Sequence, residues 1–133
     1  MLLKSQITFD GQAEEALNFY KEVFNGKIEN LMRFEDIPNR KFEDGIKKHI
    51  INARLNFGQN VLNVCDAMPH EKVNYDGNIT LDVVSSDEDE VTNIYKSLTK
   101  DGEIIMPLQA TYFSKNFGIF KDKFGIKWNI MQM

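Results

Sequence analysis

Glu15-Ala-Leu-Asn-Phe-Tyr-Lys21 and Glu90-Val-Thr-Asn-Ile-Tyr-Lys96 are the stretches on which the fold turns. Glu15, Asn18, Tyr20 and Lys21 recur 75 positions later as Glu90, Asn93, Tyr95 and Lys96. Gly26 and Ile28 recur 76 positions later as Gly102 and Ile104. Each stretch lies in an amphipathic segment of helical period. The first carries Ala13, Ala16, Leu17, Tyr20 and Phe24, and the second Val91, Ile94, Tyr95 and Leu98. Asp10 is the expected N-cap of the first helix, and Asn25-Gly26 its stop. Ser86 with Asp89 resembles a capping box for the second. There the acids Asp87 to Glu90 meet the positive end of the helix dipole, Lys96 and Lys100 lie near its negative end, and Gly102 ends the helix.

Outward from the helices the pattern repeats again. One strand-like run precedes each helix, and three follow. The first set is 2–9, 27–34, 48–57 and 61–66; the second is 78–84, 103–113, 116–121 and 127–131. The last hairpin of each half turns at Phe57-Gly58 or Phe124-Gly125, where glycine suits a positive φ. The order is β-α-β-β-β, twice, with modules at about 1–67 and 76–133 inside one domain. Pro69 and Asp76-Gly77 punctuate the link Ala67–Gly77. Glu35–Lys47, with Pro38, Gly45 and many charges, reads as a mobile loop.

Composition narrows the function classes. Apolar residues are 42% and charged residues 27% of 133, the mix of a folded globular chain. A net charge of −4 leaves no basic field to gather nucleic acid or anionic lipid. No apolar run approaches the roughly 18–20 residues of a membrane span. The start turns polar too soon for a signal peptide. Cys65 is the one cysteine, which excludes an internal disulfide and a cysteine zinc cage. The expected location is the cytoplasm. No G-x-G, P-loop, His-Glu-x-x-His or nucleophile-elbow pattern occurs.

The β-α-β-β-β duplication resembles the vicinal-oxygen-chelate superfamily of glyoxalase I, bleomycin-resistance proteins and extradiol dioxygenases. Three stretches resemble its PhnB-like branch, often labelled 3-demethylubiquinone methyltransferase: Ile7 to Phe24, Met106-Pro-Leu-Gln109, and Phe117 to Asn129. The resemblance implies an α+β fold whose two modules form a curved, half-open mixed sheet, and a homodimer. It implies helices on the convex face and a ligand or metal on the concave one. Metal-using members place His, Glu or Gln on the first and last strand of each module. Those positions fall here at Ser5, Asn63, Asn78 and Asn129; a one-residue slip would exchange Ser5 for Gln6. Such a set lacks imidazole and carboxylate, so no metal and no cofactor is expected. The methyltransferase label finds no methyl-donor motif to support it.

Further candidates lie on the same surface. Alternation in 49–57 puts Ala53, Leu55 and Phe57 on one face and Asn52, Arg54 and Asn56 on the other. Relatives commonly carry His where this chain has Asn52. Arg54 is a candidate for gripping a carboxylate or phosphate, or for pairing with an acid of its own chain. Gln109 is expected to face the cavity. Relatives tend to have Trp-Gly at Phe113-Ser114, so Phe113 keeps a ring without the indole donor. Phe113 and Phe117 are the expected stacking wall, and Trp128 points into the helix-covered core. Asp66 and Asp82 read as solvated acids. His49, Cys65 and His70 are the soft or borderline ligands, with no spacing that assembles them.

The expected function is metal-free binding of a small, partly aromatic or anionic molecule by Asn52, Arg54, Asn63, Asn78, Gln109, Phe113, Phe117 and Asn129. The alternative is a divalent-metal lyase or dioxygenase using ligands such as Gln6 or His49. A third class is an assembly protein whose cavity its own Phe and Met side chains fill.

Overall fold

In the computed structural model, which describes residues 1–133, the first half builds β1 (Ser5–Phe9), α1 (Ala13–Phe24), β2 (Lys27–Arg33), β3 (Ile50–Phe57) and β4 (Asn60–Asp66). The second half builds β5 (Leu81–Ser85), α2 (Glu88–Thr99), β6 (Glu103–Gln109), β7 (Phe117–Lys121) and β8 (Lys127–Gln132). The strands form two open four-stranded sheets of one plan, β1-β4-β3-β2 and β5-β8-β7-β6. First and last strands of each half pair parallel, and the other neighbours antiparallel. The fold is the expected α+β pair of modules. The chain divides between Val73 and Asn74, inside the linker read from the sequence.

Each helix covers one face of its own sheet. In module 1, Phe9, Ala16, Leu17, Tyr20, Ala53, Leu55 and Val64 are buried without residual exposure. In module 2 the same holds for Val91, Leu98, Phe120 and Ile130, with Trp128 beside them. Removing this apolar area from water is the main favourable term of folding. Trp128 points into that core as expected, and its Nε1 donates to Asp122 Oδ2 at 2.9 Å. Asp122 Oδ1 accepts from the backbone N–H groups of Phe124 and Ile126. One buried carboxylate thus ties the β7–β8 turn to the indole.

The helix starts differ from expectation. The α1 N-cap is Gln12, with no side-chain capping bond. Gly11, at φ +85°, turns the chain between Asp10 and the helix, which removes Asp10 from the cap position. A residue from the far end of the module caps it instead. Asp66, on β4 and 3% exposed, accepts from Ala13 N and from Ile50 N, both at 2.9 Å. Asp66 is therefore not the solvated acid read from the sequence. In α2 the N-cap is Asp87, one residue past Ser86, accepting from Asp89 N and Glu90 N. Both C-terminal stops hold: Gly26 N donates to Lys21 O and Gly102 N to Thr99 O, each at 2.9 Å.

Glu35–Lys47 joins β2 to β3 as the loop expected there, with defined contacts of its own. A 3₁₀ turn occupies Phe34–Asp36. Glu35 N donates to Lys47 O and Phe34 N to His49 O, each at 2.9 Å, and buried Phe34 packs 5.1 Å from the Phe42 ring. Nearby, the Arg33 guanidinium pairs with Glu14 of α1 and donates to Lys48 O at 2.7 Å. The Arg33 hydrogen bond holds the Glu14 carboxyl below its ordinary range, against a smaller opposing effect of burial.

Two outcomes follow from these contacts. Asp66→Ala leaves two buried N–H donors without an acceptor and should cost about 2–4 kcal/mol, read from the urea midpoint. Glu14 is half-exposed, at 50%, so its pair contributes at most about 1 kcal/mol. Because its folded pKa is lowered, that contribution exists above the ordinary value of 4.5 and is lost as pH falls through the folded value. Glu14→Gln should lower the melting temperature slightly at neutral pH, and the difference from the parent should vanish in acid.

Candidate binding faces

The strand period of two puts alternate residues of each sheet on the side away from its helix. In module 1 a polar row crosses that open side. Gln6 lies opposite Asn63, Asn63 opposite Arg54, and Arg54 opposite Glu29. Ser5 pairs with Leu62 instead and shares the face of a buried residue, so Gln6 holds the first-strand position. Along the strands, Thr8 lies opposite Cys65, their Oγ1 and Sγ 3.5 Å apart, and Asn52 lies opposite Met32. Arg54 Nε is buried and has no hydrogen-bond partner. The acid across from it is taken: Glu29 accepts from Asn56 Nδ2 at 2.6 Å and lies 3.7 Å from Lys27 Nζ.

In module 2 the open side is half polar and half apolar. Asn129 lies opposite Asp82, and its Nδ2 donates to Asp82 Oδ1 at 2.9 Å. Asn78 does not share this row. It occupies an exposed bend before β5, because the β5–β8 ladder begins at Leu81 and Trp128 and no partner strand extends further. Next along lies an apolar row: Val84 opposite Met131, Met131 opposite Phe117, and Phe117 opposite Gln109. Phe113 stands edge-on to Phe117 at 5.0 Å, and Tyr112 edge-on to Phe113 at 5.1 Å. Val84 and Phe113 are 55% and 44% exposed, so this wall is open to solvent.

A buried serine positions the wall. β6 ends at Gln109, short of the Phe113 expected from sequence, and 110–116 form a turn. Thr111 N donates to Ser114 O, while Ser114 Oγ lies within 2.8 Å of both Asn116 O and Gln132 O. Ser114 therefore pins the loop that carries Phe113 to the end of β8. Its sequence neighbours gave no sign of this, since both acceptors are backbone carbonyls, one of them 18 residues away. Asp82 was legible by one route. The 76-residue offset that carries Gly26 onto Gly102 carries Gln6 onto Asp82.

The remaining candidates are placed apart from these rows. His49 packs against Gly11 at the foot of β3, with its ring 6.1 Å from Phe34. His70 is exposed in the linker.

The family model described as 3-demethylubiquinone-9 3-methyltransferase matches residues 3–131. The protein PA1353 from Pseudomonas aeruginosa is 26% identical, with 99% of this chain and 97% of that one covered and a TM-score of 0.90. A PhnB protein from Bacillus cereus is 27% identical over the whole of both chains, with a TM-score of 0.85. The chain belongs to this PhnB-like family. A glyoxalase/bleomycin-resistance/dioxygenase domain from Frankia shares the fold at 14% identity, TM-score 0.65, with 99% of this chain and 96% of that one covered. That likeness is one of fold.

In the vicinal-oxygen-chelate proteins that the sequence resembles, metal-using members draw ligands from the first and last strand of each module. In this PhnB-like chain the register puts Gln6, Asn63, Asp82 and Asn129 there. Three of the four are neutral amides, and Asn129 already donates to the one carboxylate. Neither the amide pair of module 1 nor the acid–amide pair of module 2 fits Zn, Ni or Fe, which favour imidazole or thiolate. The Asp82–Asn129 pair has its own test. Asn129→Asp sets like charges directly opposite and should cost about 0.5–1 kcal/mol, with the deficit narrowing at high salt. Thermal melting at two salt concentrations checks it.

Proposed function

We propose that this PhnB-like protein binds a small organic molecule, partly aromatic and partly polar or anionic, without a resident metal. One observation carries the reading. On the open side of module 2, the Phe113–Phe117 edge-on pair continues into Met131 and Val84 beside the Asp82–Asn129 hydrogen bond. A ring can stack on the aromatic wall while a polar substituent meets the amide and carboxylate, the usual division of labour in a small-molecule site. Gln109 adds an exposed amide at the edge of the wall, and Asn63, Asn52 and Arg54 serve the open side of module 1. Sequestration of this kind needs affinity and no catalytic group. The reading includes a cytoplasmic homodimer and no nucleic-acid or membrane partner. A net charge of −4 supports the part about nucleic acid.

Asp82 favours a second reading. It gives module 2 a carboxylate beside the Asn129 amide, and hard oxygen donors suit a weakly held divalent ion such as Mg or Mn rather than Zn. That ion would belong to a lyase- or dioxygenase-type enzyme of the same superfamily.

A thermal-shift screen of aromatic small molecules, with and without chelator, separates the two. Stabilisation unchanged by chelator is expected, and Phe117→Ala should weaken it about tenfold. Stoichiometric metal by plasma mass spectrometry, lost in Asp82→Ala, would overturn the metal-free reading. No stabilising compound across the screen would overturn ligand binding itself.

A further inference from the structure

Resting on the ligand-binding reading, we infer that Arg54 grips a planar carboxylate of the ligand side-on, through its Nε–H and the neighbouring Nη–H. The argument begins with a donor that nothing satisfies. Arg54 Nε is shielded from water and bonded to no group, so the guanidinium must turn outward for a carboxylate to reach it. Buried N–H groups are almost always paired, and those of a cation most of all, so an orphan here marks a partner that arrives from outside. The ion pairs of module 1 join Lys27 to Glu29, Arg33 to Glu14, Lys47 to Asp44 and Lys48 to Glu35. Arg54 belongs to none of them. Its acidic neighbour in register, Glu29, is engaged by Asn56 and Lys27.

The surroundings select the ligand's charge and shape. Asn63 lies opposite Arg54 on one side, with Gln6 beyond it, and Glu29 lies opposite on the other. The amides of Asn63 and Gln6 can each turn an N–H group toward an oxygen anion. The Glu29 carboxylate disfavours a second negative charge nearby. A monoanion with two coplanar oxygens matches one guanidinium edge, and a phosphate dianion calls for more cations than this row has.

Arg54→Met is informative without any ligand. It removes the orphan while keeping the length of the apolar stem, so its melting temperature should equal or exceed the parent's. A merely structural arginine would lower it. For binding, 15N-labelled protein is titrated with benzoate, benzamide and phenyl phosphate while the Arg54 Nε–H signal is followed. Its assignment comes from its loss in Arg54→Lys. Benzoate should shift that signal saturably, benzamide and phenyl phosphate should not, and Arg54→Lys should weaken benzoate about tenfold or more. No saturable shift with benzoate, or equal shifts with benzamide, would overturn the inference, and so would preferential binding of phenyl phosphate. Neutral aromatic compounds that stabilise the protein without moving the Arg54 signal would sink this inference and leave the ligand-binding reading standing. No binding by any compound would sink both.

Discussion

The parallel pairing of first and last strand within each module is the constraint on which the rest depends. It joins β1 to β4 and β5 to β8, strands that the sequence holds far apart. A parallel ladder needs a long crossover, which the helix and two further strands provide. Because the side-chain period is two, this pairing decides residue by residue what faces the helix and what faces away. Leu62, Val64, Trp128 and Ile130 go inward; Asn63, Cys65, Asn129 and Met131 go outward. Buried carboxylates hold the arrangement. Asp66 joins the end of β4 to the starts of α1 and β3, and Asp122 joins the β7–β8 turn to Trp128.

The two modules share a backbone plan and have diverged in chemistry. Their helix-facing sides are both mainly apolar. Their open sides are not. Where module 1 has Arg54 opposite Asn63, module 2 has Ile119 opposite Asn129. Module 1 thus offers charge and amides, and module 2 offers rings, a thioether and one acid–amide pair. The repeated plan supplies two surfaces, and their chemistry differs most at the outward positions. The family's methyltransferase name describes none of these surfaces, and fold membership by itself assigns no reaction.

Much of this was legible in the sequence, for local reasons. The helices announce themselves by period, the C-terminal stops by Asn25-Gly26 and Gly102, and the hairpins by Gly58 and Gly125. The outward positions of Asn52, Arg54, Asn63 and Asn129 follow from alternation within strands that are strongly apolar on the other side. Asn78 was misplaced for an equally physical reason. Ile79, Leu81 and Val83 alternate like a strand, yet β8 supplies partners only from Trp128 onward, and Ile79 remains exposed. Strand limits depend on the partner's length, which alternation does not record.

The sequence by itself determined the duplicated β-α-β-β-β order, the two helices, the identity of the inward faces and the absence of cysteine or histidine clusters. These depend on period, turn chemistry and composition, all properties of short windows. Only the tertiary structure decided that Gln6 rather than Ser5 stands beside Asn63, that β5 begins too late to carry Asn78, and that Arg54 Nε stands buried with no partner. It also assigned the capping of α1 to Asp66 and the anchoring of the Phe113 loop to Ser114. Each is a matter of register or of a hydrogen bond between distant segments. Such bonds are chosen by how whole strands pack, and no local pattern of residues encodes them.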